Sequence, residues 1–163
     1  MKKLYLFVFL LIASIIQAQP FGNEWIDYDQ KYYKFSIAED GVYRITFNDL
    51  ANAGIPISGI APENIQLFAA KEEIPIYIEG GDDGFFNSTD FIEFIGRKND
   101  GSLDTPLYDT PSDQPNPYYS LYNDTLSYYL TWNETGNNLR FQENDLSNLS
   151  TYTPREYLWK RLR

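Results

Sequence analysis

Apolar and polar residues alternate with a period of two along most of this chain, the signature of strands with one buried face. In residues 31–37, Tyr33, Phe35 and Ile37 form one row, and Tyr32, Lys34 and Ser36 form the other. Glu39-Asp40-Gly41 supplies turn chemistry, and Tyr43, Ile45 and Phe47 continue the alternation. These two runs are expected to pair as a hairpin. A short helix should follow: Thr46 and Asp49 have capping-box spacing, Leu50 and Ala53 give a small apolar face, and Gly54 and Pro56 stop it.

Pro62 opens another turn. Residues 65–69 and 74–78 read as a second hairpin around Lys71-Glu72-Glu73, with Pro75 at a sheet edge because it cannot donate to a ladder. Residues 91–95 are apolar apart from Glu93 and predict a more buried strand. Between 99 and 117, Pro106, Pro111, Pro115 and Pro117 interrupt any period, which predicts a long ordered loop or a linker. Leu126, Tyr128, Leu130 and Trp132 restore the strand pattern. A turn cluster at 133–138 and a short return strand at 139–141 follow. The expected fold is mainly β, a β-sandwich or open barrel of antiparallel strands with one short helix.

The two ends have a different character. Lys2 and Lys3 precede an uncharged, almost wholly apolar run over 4–16, and Gln17-Ala18-Gln19-Pro20 returns to polar residues. That is the layout of a cleaved signal peptide over 1–18, and the run is short of the roughly 20 residues of a membrane span. Residues 19–150 then form one β-rich domain, and an exported location follows. Tyr152 to Arg163 ends in an apolar, basic stretch without a cap or polar tail, and 151–163 reads as the start of a truncated following element.

Composition narrows the chemistry. The chain has no cysteine and no histidine. It therefore has no thiolate nucleophile, no Ser-His-Asp triad and no thiolate zinc site. A net charge of −10 repels phosphate backbones, so no nucleic-acid partner is expected. No Gly-rich phosphate loop is present, since Gly80-Gly81 lies in an acidic turn without a following Lys. No cofactor is expected, with calcium the one possibility.

Three kinds of residue remain as candidates. Glu79, Asp82, Asp83, Asp90 and Glu93 could supply the two carboxylates of a glycosidase-like site, about 5–10 Å apart in a pocket. Residues 79–90 have the length of an EF-hand loop: Asp83, Gly84, Phe86, Asn87 and Asp90 fall at positions 5, 6, 8, 9 and 12. Asp83, Asn87 and Asp90 are thus candidate calcium ligands, although Gly81 offers no side chain at position 3 and a strand follows; an Asp/Gly/Asn-rich hairpin loop has the same pattern. With 14 Tyr, 11 Phe and 3 Trp the chain could also build a sugar platform from Trp25, Trp132, Tyr118 and Tyr119, or spend those rings in the core. Asn87, Asn123, Asn133 and Asn148 each begin an Asn-x-Ser/Thr triplet.

Several stretches resemble one family. Residues 33–46 (YKFSIAEDGVYRIT), 74–80 (IPIYIEG), 83–94 from Asp83-Gly84 to Asp90-Phe91-Ile92-Glu93-Phe94, and 116–125 (NPYYSLYNDT) leading to Leu130-Thr131-Trp132 resemble, in order, the opening of large exported proteins of bacteria with a type IX secretion system. These include the gingipain-type cysteine peptidase that acts as that system's sortase. The resemblance covers roughly residues 25–163, and Phe91 and Ile95 stand where such proteins often have Tyr. It implies a β-rich, non-catalytic region upstream of a peptidase domain, located at the cell envelope, outer surface or outside the cell. Its partners would be that downstream domain or components of the secretion system. The alternative is a secreted glycan- or protein-binding β-module. Glycan binding predicts exposed coplanar rings in one cleft; an accessory domain predicts buried rings and an apolar patch awaiting a neighbour.

Overall fold

The computed structural model describes residues 22–134 and 136–142. The elements are β1 (Tyr33–Ile37), β2 (Gly41–Thr46), α1 (Phe47–Asn52), β3 (Ile65–Ala69), β4 (Glu72–Ile74), β5 (Tyr77–Glu79), β6 (Phe91–Gly96) and β7 (Leu126–Trp132). They form a four-stranded sheet in the order β1-β7-β3-β4 and a three-stranded sheet in the order β2-β6-β5, with every strand pair antiparallel. Among the described residues the chain adopts the expected mainly-β, sandwich-like architecture, with one short α-helix.

The alternating rows face the core as the sequence predicts. Tyr33, Phe35 and Ile37 of β1 lie in register with Leu130, Tyr128 and Leu126 of β7, and Ile65, Leu67 and Ala69 of β3 continue that layer. From the opposite sheet, Ile92 and Phe94 of β6 and the partly buried Tyr43, Ile45 and Ile78 close the core. Phe35, Phe94 and Tyr128 meet across the layers with ring centroids 5.6–5.9 Å apart, a distance at which aromatic pairs attract beyond simple area burial.

The first expected hairpin is not formed. β1 pairs with β7 and β2 with β6, so consecutive strands lie in different sheets. A β1–β2 hairpin would put both apolar rows on one side of one sheet and leave no second layer to cover them. The chain instead turns the corner at residues 38–40. Tyr43 Oη donates to the Glu39 carbonyl at 2.9 Å, and Asp40 Oδ1 accepts the Lys98 N–H at 2.9 Å.

The second hairpin forms only in part. β3 and β4 are joined by Ala70 and Lys71, both at positive φ (49° and 73°), a two-residue turn of the handedness that suits twisted strands. Glu72 and Glu73, expected in the turn, are already in β4. Pro75 then ends β4, and β5 joins the other sheet beside β6. The edge expectation for Pro75 holds on both sides, because β4 and β5 each border their sheet.

The capping box of α1 is complete. Asp49 N–H donates to Thr46 Oγ1 at 3.1 Å, and Thr46 N–H donates to Asp49 Oδ2 at 2.9 Å. The Thr46 hydroxyl also donates to Asp49 Oδ2 at 2.7 Å, and this bond first, with the Thr46 N–H bond second, holds the Asp49 carboxyl below its usual value. Residues 97–125 form an ordered loop with short 3₁₀ turns at Ser102–Leu107 and Pro111–Asp113. Buried Asn99 ties its ends together: Nδ2 donates to the Asn123 carbonyl at 2.8 Å and Oδ1 accepts the Gly101 N–H at 3.1 Å. Gly101 adopts φ +84° with the Tyr119 backbone directly against it, leaving no room for a Cβ. Residues 139–141 make a single parallel bridge, Ile76 with Arg140, in place of a full return strand. The expected signal peptide over 1–18 and the element over 151–163 lie outside the described residues.

Candidate functional site

The 79–90 loop draws its three candidate ligands together. Gly80 and Gly84, both at positive φ, bracket a 3₁₀ turn, Gly81–Asp83. Asp83 Oδ2 accepts Asn87 Nδ2 at 2.9 Å, and its Oδ1 accepts the Phe85 N–H at 2.9 Å. Asp90, almost fully buried, accepts the Asn87 N–H on Oδ2 at 2.7 Å and the Thr89 hydroxyl on Oδ1 at 3.0 Å. A Cβ on Gly80 would overlap the Asp90 carboxylate, so glycine is required there. Each carboxylate oxygen of Asp83 and Asp90 is thus used in shaping the loop. Among the described residues no three acidic side chains stand close enough together to hold a metal ion. Phe86 fills the core beneath the loop, and β6 begins immediately after Asp90.

Asp82 sits in the same 3₁₀ turn, and Glu79 and Glu93 lie on the outer face of the three-stranded sheet. Glu79 accepts the Tyr77 hydroxyl, a bond that pushes the Tyr77 phenol up. Glu93 receives Arg44 Nε at 2.9 Å and Nη2 at 2.7 Å. The same guanidinium sits 3.8 Å from the centroid of the Phe91 ring.

The four candidate platform rings are not assembled into one surface. Trp25 packs against Phe68, Tyr129 and Tyr32 with centroids 5.2–5.7 Å away, on the outer side of the four-stranded sheet. Trp132 stacks on Tyr33 at 5.5 Å and 17°. Tyr118 and Tyr119 belong to the 97–125 loop, where Tyr118 is 82% exposed.

Two features escaped the sequence reading. The first is the bare outer face of the three-stranded sheet. Val42 and Ile95 are cross-strand neighbours, 74% and 54% exposed, and Tyr77 beside Glu93 is 44% exposed. The signal was present as apolar residues in the rows that should be polar, Val42 between Gly41 and Tyr43 and Ile95 between Phe94 and Gly96.

The second is a cleft of about 360 Å³ at the end of the sandwich beside the β3–β4 turn. Ile74, Leu126 and Tyr128 give it an apolar lining, and Arg97 and Lys98 supply cations. None of the five candidate carboxylates lines it. Tyr128 Oη accepts the Arg97 N–H at 2.6 Å and donates to the Arg97 carbonyl at 3.0 Å, joining the two sheets at this end. Burial pushes the Tyr128 phenol above its ordinary value.

Without cysteine the chain holds no cysteine-peptidase nucleophile. Among the described residues no helix is long and apolar enough to cross a membrane. No family model, no curated protein and no solved structure matches this chain.

Proposed function

We propose that this chain is the non-catalytic amino-terminal β-domain of an exported gingipain-type cysteine peptidase of the type IX secretion sortase family, serving the processing or secretion of cell-surface proteins. Its task is to dock against and support a catalytic domain. The observation that carries the reading is the exposed cross-strand pair Val42–Ile95 on the outer face of the three-stranded sheet. Paired apolar side chains left in an outward row fit a surface that another domain covers. Two further features support it: the ordered series of family-like stretches, and the absence of both cysteine and histidine, which assigns the chemistry to another domain. The scattered placement of Trp25, Trp132, Tyr118 and Tyr119 favours this reading over a glycan platform.

The test is to read the genomic DNA past the codon for Arg163. An open frame encoding a domain with a peptidase Cys and His is the expected result, and a stop codon there overturns the reading. Given such a frame, hydrogen exchange on the long protein and on the present chain should show the β2 amides exchanging more slowly in the former.

A further inference from the structure

The cleft at the end of the sandwich has the features of a small-molecule site, and of the residues that carry the accessory-domain reading it shares only Ile95. Its volume, about 360 Å³, lies within the usual range for ligand pockets, roughly 300–1,000 Å³. Its lining combines an apolar surface with two adjacent cations, the composition of a site that buries a hydrocarbon body and orients one charged end.

The cations are out of place unless they have a use. Residues 22–142 hold seven Lys and Arg against twenty Asp and Glu, yet two of the seven stand side by side at this cleft. The ion pair seen among the described residues is Arg44–Glu93, so neither Arg97 nor Lys98 is consumed by a carboxylate within 4.0 Å. Asp100, which also lines the cleft, is engaged first by Ser102, whose N–H donates to Oδ1 at 3.0 Å, and the charge of Arg97 adds to these bonds in holding its carboxyl below the ordinary value. Glu72 lines it from β4.

The backbone carrying the cations is held from several sides. The Tyr128 hydroxyl bonds both the N–H and the C=O of Arg97, the Lys98 N–H donates to Asp40, and buried Asn99 anchors the next residue to Asn123. Such anchoring lowers the ordering cost of binding, because the backbone from which the two cations extend is already fixed.

We propose that this cleft binds a small apolar carboxylate, an alkyl or aryl acid whose body lies on Ile74, Leu126 and Tyr128 and whose carboxylate meets Arg97 and Lys98. The rest of the surface restricts the choice. A polyanion would be repelled by the acidic body and by Glu72, and a cationic amphiphile by Arg97 and Lys98. One negative charge on an apolar body satisfies both.

Calorimetric titration of the full chain at low salt tests this, with 4-phenylbutyrate and decanoate as probes and 4-phenylbutan-1-ol and decan-1-ol as their neutral counterparts. The expected result is saturable one-to-one binding, with the acids about 5-fold tighter than the alcohols, the size of one partly exposed charge pair. The double variant R97Q/K98Q, which changes only exposed side chains, should abolish that preference while leaving alcohol binding in place. An added carboxylate at the rim, Leu103→Asp, should weaken the acids more than the alcohols. Equal affinity for acid and alcohol, no saturable binding of either acid, or full acid binding by R97Q/K98Q would each overturn the proposal. The accessory-domain reading is decided separately, by the reading frame.

Discussion

The two sheets have similar inner faces and opposite outer ones. On the four-stranded sheet the outward row carries Phe68, Tyr129, Thr131 and Gln66, and residues 22–32 lie across it. Trp25 covers Phe68 and Tyr129, and Gln30 Oε1 accepts the Thr131 hydroxyl at 3.2 Å, so Thr131 is only 1% exposed. On the three-stranded sheet the outward face carries Val42, Ile95, Tyr77 and Phe91, interrupted by the Arg44–Glu93 pair, whose guanidinium also lies over Phe91. Apolar side chains in an outward row gain free energy only when something removes them from water. Among the described residues, 22–32 cover one sheet, while Val42 and Ile95 on the other stay exposed.

The largest effect should come from removing the cover. Trp25→Ala takes away a half-buried ring touching three others and should cost about 2–4 kcal/mol, read as a lower midpoint in urea unfolding. A loss under about 0.5 kcal/mol would show that residues 22–32 merely lie on the sheet.

Next in size is the bolt between the sheets. Tyr128→Phe leaves the Arg97 N–H and C=O without their buried partner and should cost about 1–3 kcal/mol. It also changes the alkaline limb. The folded phenol is raised above its ordinary value of 10.0, so its contribution is fully present below pH 10 and is lost as pH rises through the folded value. Stability of the wild type measured across pH 9–12 should fall more steeply than that of Tyr128→Phe.

A smaller loss is expected at the end of the open face, where β2 runs into α1. Thr46→Ala removes the cap and should cost about 1 kcal/mol. The Asp49 carboxyl is held below its usual 3.8, so its contribution is present above that value and is lost as pH falls through the folded one. The acid limb of an unfolding-versus-pH series should therefore be flatter in Thr46→Ala.

The smallest effect on stability sharpens the comparison most. Val42→Lys on the open face should shift stability by no more than about 0.5 kcal/mol, because Val42 is largely exposed among the described residues. The same change at Phe68, under Trp25, should be severalfold worse. Equal losses at the two sites would remove the distinction between covered and open faces.

How far the chain can be read without its structure differs from element to element. The capping box at Thr46 and Asp49 and the strands at residues 91–95 and 126–132 were legible, since each rests on neighbours within one turn or one strand. Asp83, Asn87 and Asp90 were readable as one loop that could be a calcium loop or an Asp/Gly/Asn-rich turn, and the hydrogen bonds that join them came only from the structure. The pairing of Tyr33–Ile37 was misread because a local turn signal at Glu39-Asp40-Gly41 competes with a pairing to residues 126–130 that no local pattern reveals. The cleft was invisible because it gathers Ile74, Arg97, Lys98, Leu126 and Tyr128 from strands and a loop far apart in the chain.

By itself the sequence determined which side chains share a strand face, where the helix starts, and which catalytic chemistries are closed to a chain without cysteine or histidine. These follow from a period of two, from a cap three residues long, and from composition. Tertiary structure alone decided which strands pair, which outward face is covered, and that two cations stand at the mouth of an apolar cleft. Those outcomes depend on burying one row against another distant in the chain, a choice made by the summed contacts of two packed sheets and not by any one segment.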